Sequence, residues 1–116
     1  MSALPLRECL RALEGEGYSV ENRVVIRGAS GVYHKFDAMV CGKRHRLLID
    51  YARNERELLR ALGKAIDVLG EKILLLVDER LASIVGDNLG NPRSYVKIVR
   101  AGDVGEFLSS VRDLLD

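Results

Sequence analysis

The stretch KILLLVD, residues 72–78, carries a continuous apolar run rather than the alternation of a strand with one wet face. Such a run is expected of a strand covered on both faces of a sheet, and the usual covering is helical. Helical segments are legible on either side of it. Leu6, Leu10 and Leu13 recur at helical spacing over residues 4–14, with Pro5 tolerated in a first turn and GEGY ending the segment. Residues 54–69 predict a second helix whose apolar face is Leu58, Leu62, Ala65, Ile66 and Leu69. A short helix is expected around Leu81 to Val85. The last opens at DVGEF with an Asp-x-x-Glu capping pattern and buries Phe107, Leu108, Val111, Leu114 and Leu115.

The remaining strands follow from local signals. YSVENRVVIRG, residues 18–28, reads as a strand closed by the turn GASG. Val32 to Cys41 and His45 to Ala52 form a hairpin around GKR, the segment at 86–93 is a loop, and YVKIV at 95–99 is a further strand. The order α-β-β-β-α-β-α-β-α predicts one α/β domain over residues 1–116 with a mixed central sheet. Its first three strands meander and the later ones join by helical crossovers.

Bulk properties narrow the function classes. At 116 residues and 47% hydrophobic, the chain suits one compact domain with a real core. The net charge of +1 excludes a global basic field, so any nucleic-acid binding has to come from a local patch. There is no apolar run near the ~20 residues a membrane span needs and no charged-then-apolar leader, so the expectation is a cytoplasmic protein without membrane contact. Cys9 and Cys41 read as two reduced thiols, with Cys9 in the core. The absence of Gln, Thr and Trp beside abundant Arg, Glu and Leu leans towards a thermophile.

Two carboxylates interrupt the strand-rich hairpin: Asp37 in GVYHKFDAMV and Asp50 in RLLIDYA. Side chains alternate along a strand, so register decides whether they meet. A two-residue turn at Lys43–Arg44 pairs Phe36 with Tyr51, Ala38 with Ile49 and Val40 with Leu47, one coherent apolar face. It sets Asp37 opposite Asp50. A turn at Gly42–Lys43 instead sets Asp50 opposite Lys35 and Asp37 opposite Leu48, still all on one face. A three-residue loop scrambles the apolar set and is rejected. Facing carboxylates repel unless a cation lies between them or one is protonated. Oxygen ligands at this spacing suit Mg²⁺ or Mn²⁺. The competing reading is two surface aspartates, against which Met39, Leu48 and Ala52 share the same face.

The run from the opening helix through GYSV, GASGVYHKFD and LLIDYAR resembles the core of the restriction-endonuclease-like superfamily, the PD-(D/E)xK nucleases. It is more closely similar to small archaeal proteins with a Gly-x-Ser-Gly-x-x-His-x-Phe-Asp signature, and GKAIDVLG resembles that group's Lys-Ala-x-Asp-x-Gly. The resemblance implies a restriction-endonuclease-like domain. It implies Asp37 and Asp50 as metal ligands and catalytic carboxylates, with the backbone carbonyl of Tyr51 as a further ligand. Active members carry a Lys two residues after the second carboxylate; here that position is Ala52. Lys35, on the face of Asp37, is the first substitute and Lys64 the second. Lys35 also reads as a charge-balancing partner for Asp50. The opening-helix Glu of the family corresponds to Glu8 or is displaced by Leu6.

Other residues carry two readings each. His34 falls on the face opposite Asp37 and reads as a structural hydrogen-bonding residue. Gly28 and Gly31 supply turn conformations with positive φ, and Ser30 bonds within the turn or helps cradle a phosphate. Arg53, Arg56, Arg60 and Lys64 form a basic stripe after Asp50, either a solvated face or a grip on a phosphate backbone. Asp78 and Glu79 either cap the next helix or line a crevice at the strand end.

The expected function is a Mg²⁺- or Mn²⁺-dependent nuclease that hydrolyses phosphodiester bonds in DNA, with RNA as a secondary substrate, working as a homodimer. The alternative is a catalytically silent module of the same fold that binds nucleic acid or a protein. A third option, a metal-free splicing-endonuclease chemistry through Tyr33, His34 and Lys64, has residues of the right type at poorly matching spacing.

Overall fold

The computed structural model describes residues 4–68, 70–85 and 96–115. Over these the chain runs α1 (Leu4–Gly15), β1 (Ser19–Arg27), β2 (Tyr33–Cys41), β3 (Arg46–Ala52), α2 (Glu55–Asp67), β4 (Lys72–Val77), α3 (Glu79–Val85), β5 (Val96–Arg100) and α4 (Val104–Leu115). The loop expected at 86–93 and Leu69 lie outside the described residues. The expected order of elements stands: an α/β arrangement with a mixed five-stranded sheet and four helices among the described residues. No helix among them is long and apolar enough to cross a membrane.

The sheet order is β1-β2-β3-β4-β5. The first two pairings are antiparallel, whereas β3–β4 and β4–β5 are parallel, joined through α2 and α3. Parallel strands need long crossovers that leave helices on the faces, so β4 at the centre is covered twice over. Leu74 and Leu76 point into a core built with Cys9, Leu10 and Leu13 of α1 and Phe107, Val111 and Leu115 of α4. Leu75 and Val77 face the opposite way, against Leu58 and Ala61 of α2 and Leu81 and Ala82 of α3. The continuous apolar run is thereby accounted for. Ile66 departs from its expected place on the buried face of α2: it is solvent-exposed, and Ala61 packs instead.

Local chemistry fixes the helix starts. Asn54, in extended conformation, accepts the Glu57 backbone N–H at 2.9 Å to cap α2. Asp103 accepts the Glu106 N–H at 2.9 Å to cap α4, as the Asp-x-x-Glu pattern anticipates.

The hairpin adopts the register expected for a Lys43–Arg44 turn, pairing Ala38 with Ile49, Met39 with Leu48 and Val40 with Leu47. The β2–β3 ladder ends at Ala38–Ile49. The β1–β2 ladder continues past this point but skips the position where its register sets Arg23 opposite Asp37. Arg23 has φ +56°, the left-handed region, in the interior of a strand. Strand alternation breaks there. Val20, Ala38 and Val40 belong with the α1/α4 core, while Val24 and Phe36 belong with Leu48, Val68 and Ile73 on the α2 side. Residues two apart that should share a face lie on opposite faces, so the distal half of the β1–β2 hairpin is turned over towards α2. This corrects one expectation: Phe36 does not join Ile49 and Leu47 but packs on the other side of the sheet.

Candidate active site

The end of the β2–β3 ladder is a fork, and the two aspartates fill it. Asp37 donates its backbone N–H to Asp50 Oδ1 at 3.1 Å, and Asp37 Oδ2 accepts the Tyr51 N–H at 2.8 Å. Each carboxylate thus takes a cross-strand backbone donor where the regular ladder has stopped. A residue in an extended strand presents its N–H and C=O to the same side, so the Tyr51 carbonyl is directed into the same fork. On its other edge, β3 stays paired to β4 through Ala52–Val77, which keeps Asp50 and Tyr51 on a fixed floor.

Asp50 is buried, with 5% of its surface accessible. Burial raises its pKa above the ordinary carboxylate value, and the neighbouring Asp37 charge adds to this. The hydrogen bond and positive charge of Lys64 oppose it. The Lys64 ammonium lies 2.5 Å from Asp50 Oδ2, 2.5 Å from the Lys35 backbone carbonyl and 4.7 Å from the centroid of the Phe36 ring. The turned-over hairpin makes this possible, since it brings Phe36 and the Lys35 carbonyl to the α2 face. The ammonium beside Asp50 is therefore that of Lys64, the second of the two substitutes for the lysine absent at Ala52. Lys35 contributes its carbonyl and leaves its side chain exposed; the charge partner of Asp50 is Lys64.

The glycine-rich signature builds a clasp next to the site. Asp67, one turn beyond Lys64 on α2, accepts the Ser30 N–H at 2.9 Å and the Ser30 hydroxyl at 2.7 Å. His34 Nε2 lies 2.6 Å from its Oδ2, and the Asp67 carbonyl accepts the Ala29 N–H at 2.8 Å. The Ser30 hydrogen bonds first, and then His34, hold the Asp67 carboxyl below the ordinary range. Of the two glycines expected to take positive φ, Gly31 does, at +91°, whereas Gly28 does not; Gly28 is required for space instead, since a Cβ would stand 1.9 Å from Asp67 Oδ2. His34 takes a hydrogen-bonding place in this clasp. The Ser30 amide is spent on Asp67, which argues for the turn role rather than a phosphate cradle.

The basic stripe divides. Arg53 is bound to Glu57 at 2.7 Å, and Lys64 turns inward, while Arg56 and Arg60 remain exposed. Arg60, Lys64, Asp37 and Asp50 line a hollow of about 350 Å³, roomy against the ~30 Å³ share of one water. Asp78 accepts the Arg80 N–H at 3.0 Å and its carbonyl accepts the Ala82 N–H, so it serves α3. Glu8 is exposed, and Leu6 rather than Glu8 lines the hollow that α1 forms beside Asp37. Arg23 borders the site too, and sequence periodicity has no means of placing it there.

Among the described residues no third His, Cys, Asp or Glu joins Asp37 and Asp50 in a metal-ligating group. The donors present are hard oxygens: two carboxylates with the Tyr51 carbonyl beside them. Mg²⁺ is commonly held through one or two carboxylates with water completing its shell, so this set fits it, with Lys64 competing for Asp50 Oδ2.

No family model matches the chain, and no curated protein matches it. Among solved structures, it is similar to a crystal structure described as a protein of unknown function, AF1548. That likeness has a TM-score of 0.56 and 16% identity, covers 94% of this chain and 67% of the other, and shows the fold alone.

Proposed function

We propose that the chain is a restriction-endonuclease-like, metal-dependent nuclease that hydrolyses phosphodiester bonds in DNA. The observation that carries this reading is the Lys64 ammonium against the buried Asp50. It restores, from a helix, the cation-beside-carboxylate pair that the third-strand motif lacks at Ala52. Asp37, Asp50 and the Tyr51 carbonyl would hold Mg²⁺ or Mn²⁺, which supplies polarisation of the phosphate and a lowered pKa for bound water. Asp50 holds the lysine, and Lys64, fixed by Asp50, the Lys35 carbonyl and the Phe36 ring, orients the attacking water. Asp37 is aligned by the Tyr51 amide. Arg60 faces the same hollow and can hold a flanking phosphate.

The test is cleavage of duplex and single-stranded DNA and of RNA with Mg²⁺ or Mn²⁺, beside calorimetric titration of Mn²⁺. The wild type should cleave and bind the ion. Asp37→Ala should lose both, and Lys64→Met should lose cleavage while retaining most DNA binding. One observation favours a second reading: Lys64 already balances Asp50 without a metal. A silent nucleic-acid- or protein-binding module predicts no cleavage with any divalent ion and no detectable ion binding, and that result would replace the nuclease reading.

A further inference from the structure

Resting on the nuclease reading, we propose that Arg23 is the residue that grips the nucleic-acid phosphate beside Asp37, and that its left-handed backbone is kept for that purpose. A φ of +56° inside a strand favours glycine, yet this position holds a long cationic side chain. Backbone conformation alone gives no reason for arginine there.

The side chain has no other employment. Arg46 is bound to Glu71, Arg53 to Glu57 and Arg112 to Glu16, and Arg27 lies over the Tyr33 ring. Arg23 is exposed and has no hydrogen bond or ion pair among the described residues. It borders three hollows, two of which have only Arg23 and Asp37 in common. One carries Arg60 and Lys64 from α2; the other carries Arg7 and Arg11 from α1. Arg7 and Arg11 form no ion pair within 4.0 Å among the described residues, and Arg60 acts on Glu57 through its charge alone. Arg23 and Asp37 thus stand where these two hollows meet, with arginines of α1 on one side and Arg60 and Lys64 of α2 on the other. A planar guanidinium at that junction can meet one phosphate through two hydrogen bonds.

Fluorescence anisotropy with short labelled DNA and RNA oligonucleotides, in Ca²⁺ so that cleavage does not intervene, tests this together with thermal melting. Arg23→Gly removes the guanidinium while relaxing the backbone. It should bind about tenfold more weakly, lower the salt slope by about one phosphate contact and melt at an unchanged or higher temperature. Arg23→Asn, which also tolerates this conformation, should show the same binding loss, and Arg23→Lys a smaller one. Wild-type binding with Arg23→Gly and Arg23→Asn both within about twofold of it overturns the assignment and leaves the nuclease reading standing. A wild type that binds neither DNA nor RNA removes both. The oligonucleotide that binds more tightly identifies the backbone chemistry.

Discussion

Replacing Lys64 by Met keeps most of the aliphatic stem and removes the ammonium from Asp50 and from the Phe36 ring. The pair is well hidden, with side-chain exposures of 16% for Lys64 and 7% for Asp50. Removing one partner of a buried pair leaves an uncompensated charge, typically at a cost of about 3–5 kcal/mol. Protonating Asp50 offers an escape, which requires about 1.4 kcal/mol for each unit between its pKa and the ambient pH. Its pKa is already raised by burial, and both Lys64 contributions that oppose the rise disappear in the variant. A loss near 3 kcal/mol is therefore expected at about pH 8. The sign with pH follows. A carboxyl whose folded pKa is raised supplies stability below its unfolded range and loses it as the pH climbs through the folded value. Lys64→Met should thus be least harmful near pH 5 and worsen upward. Adding Asp50→Asn should return most of the loss, a coupling of about 2 kcal/mol. Urea unfolding followed by far-ultraviolet circular dichroism measures this, with m unchanged if only stability moves. A loss under about 1 kcal/mol, flat with pH and not rescued by Asp50→Asn, would refute the placement of Lys64.

In the wild-type background, Asp50→Asn should lower the melting temperature, though less than Lys64→Met does because the stranded Lys64 ammonium is the more exposed partner, while abolishing cleavage and weakening Mn²⁺ binding in calorimetry. Gly28→Ala should destabilise by about 2 kcal/mol in urea unfolding, since the added methyl meets the Asp67 carboxylate. Asp67 has a lowered pKa, so the stability it contributes is present above the ordinary carboxylate range and lost as the pH falls through its folded value. An acid titration of Asp67→Asn should accordingly show a shallower fall than the wild type below about pH 4. Cys41 is exposed and should react with a thiol reagent in the native protein. Cys9, buried and with its thiol pushed up to about 11, should react only after unfolding, as mass spectrometry of the labelled chain would show.

Much of this architecture is legible in the residues themselves. The run at 73–77 demanded cover on two faces, and the Lys43–Arg44 turn set a register that joins Asp37 to Asp50. What escaped the sequence was the break in alternation. Period-two reading assumes a continuous strand, and one left-handed arginine, carrying no glycine to advertise it, moves Phe36 to the other face. The ranking of Lys64 behind Lys35 followed from the same assumption, because the position of Lys64 beside Asp50 depends on how α2 docks under the turned-over hairpin. One signal was available. Lys64 and Asp67 lie three apart and so share a helix face, and both point at β2 partners: the Lys35 carbonyl and His34.

The fork also divides the molecule by how readily its amides should exchange with solvent deuterium. Residues 24–36 form an arm whose strand pairing is only within itself, because β3 leaves β2 at Ala38, and whose other backbone bonds run to Lys64 and Asp67 of α2. The arm is tethered by Val24 and Phe36 on the α2 side and by the Asp67 clasp. Leu74 to Leu76, by contrast, are paired on both edges and buried on both faces, so their amides should open only with the whole fold. Protonating Asp67 should free the arm as a cooperative unit while Asp50 and Tyr51 remain on β3. A phosphate backbone lying across Arg23 and the floor of the fork would join arm to floor, and its binding would then register as slowed exchange throughout 24–36, far beyond the atoms it touches.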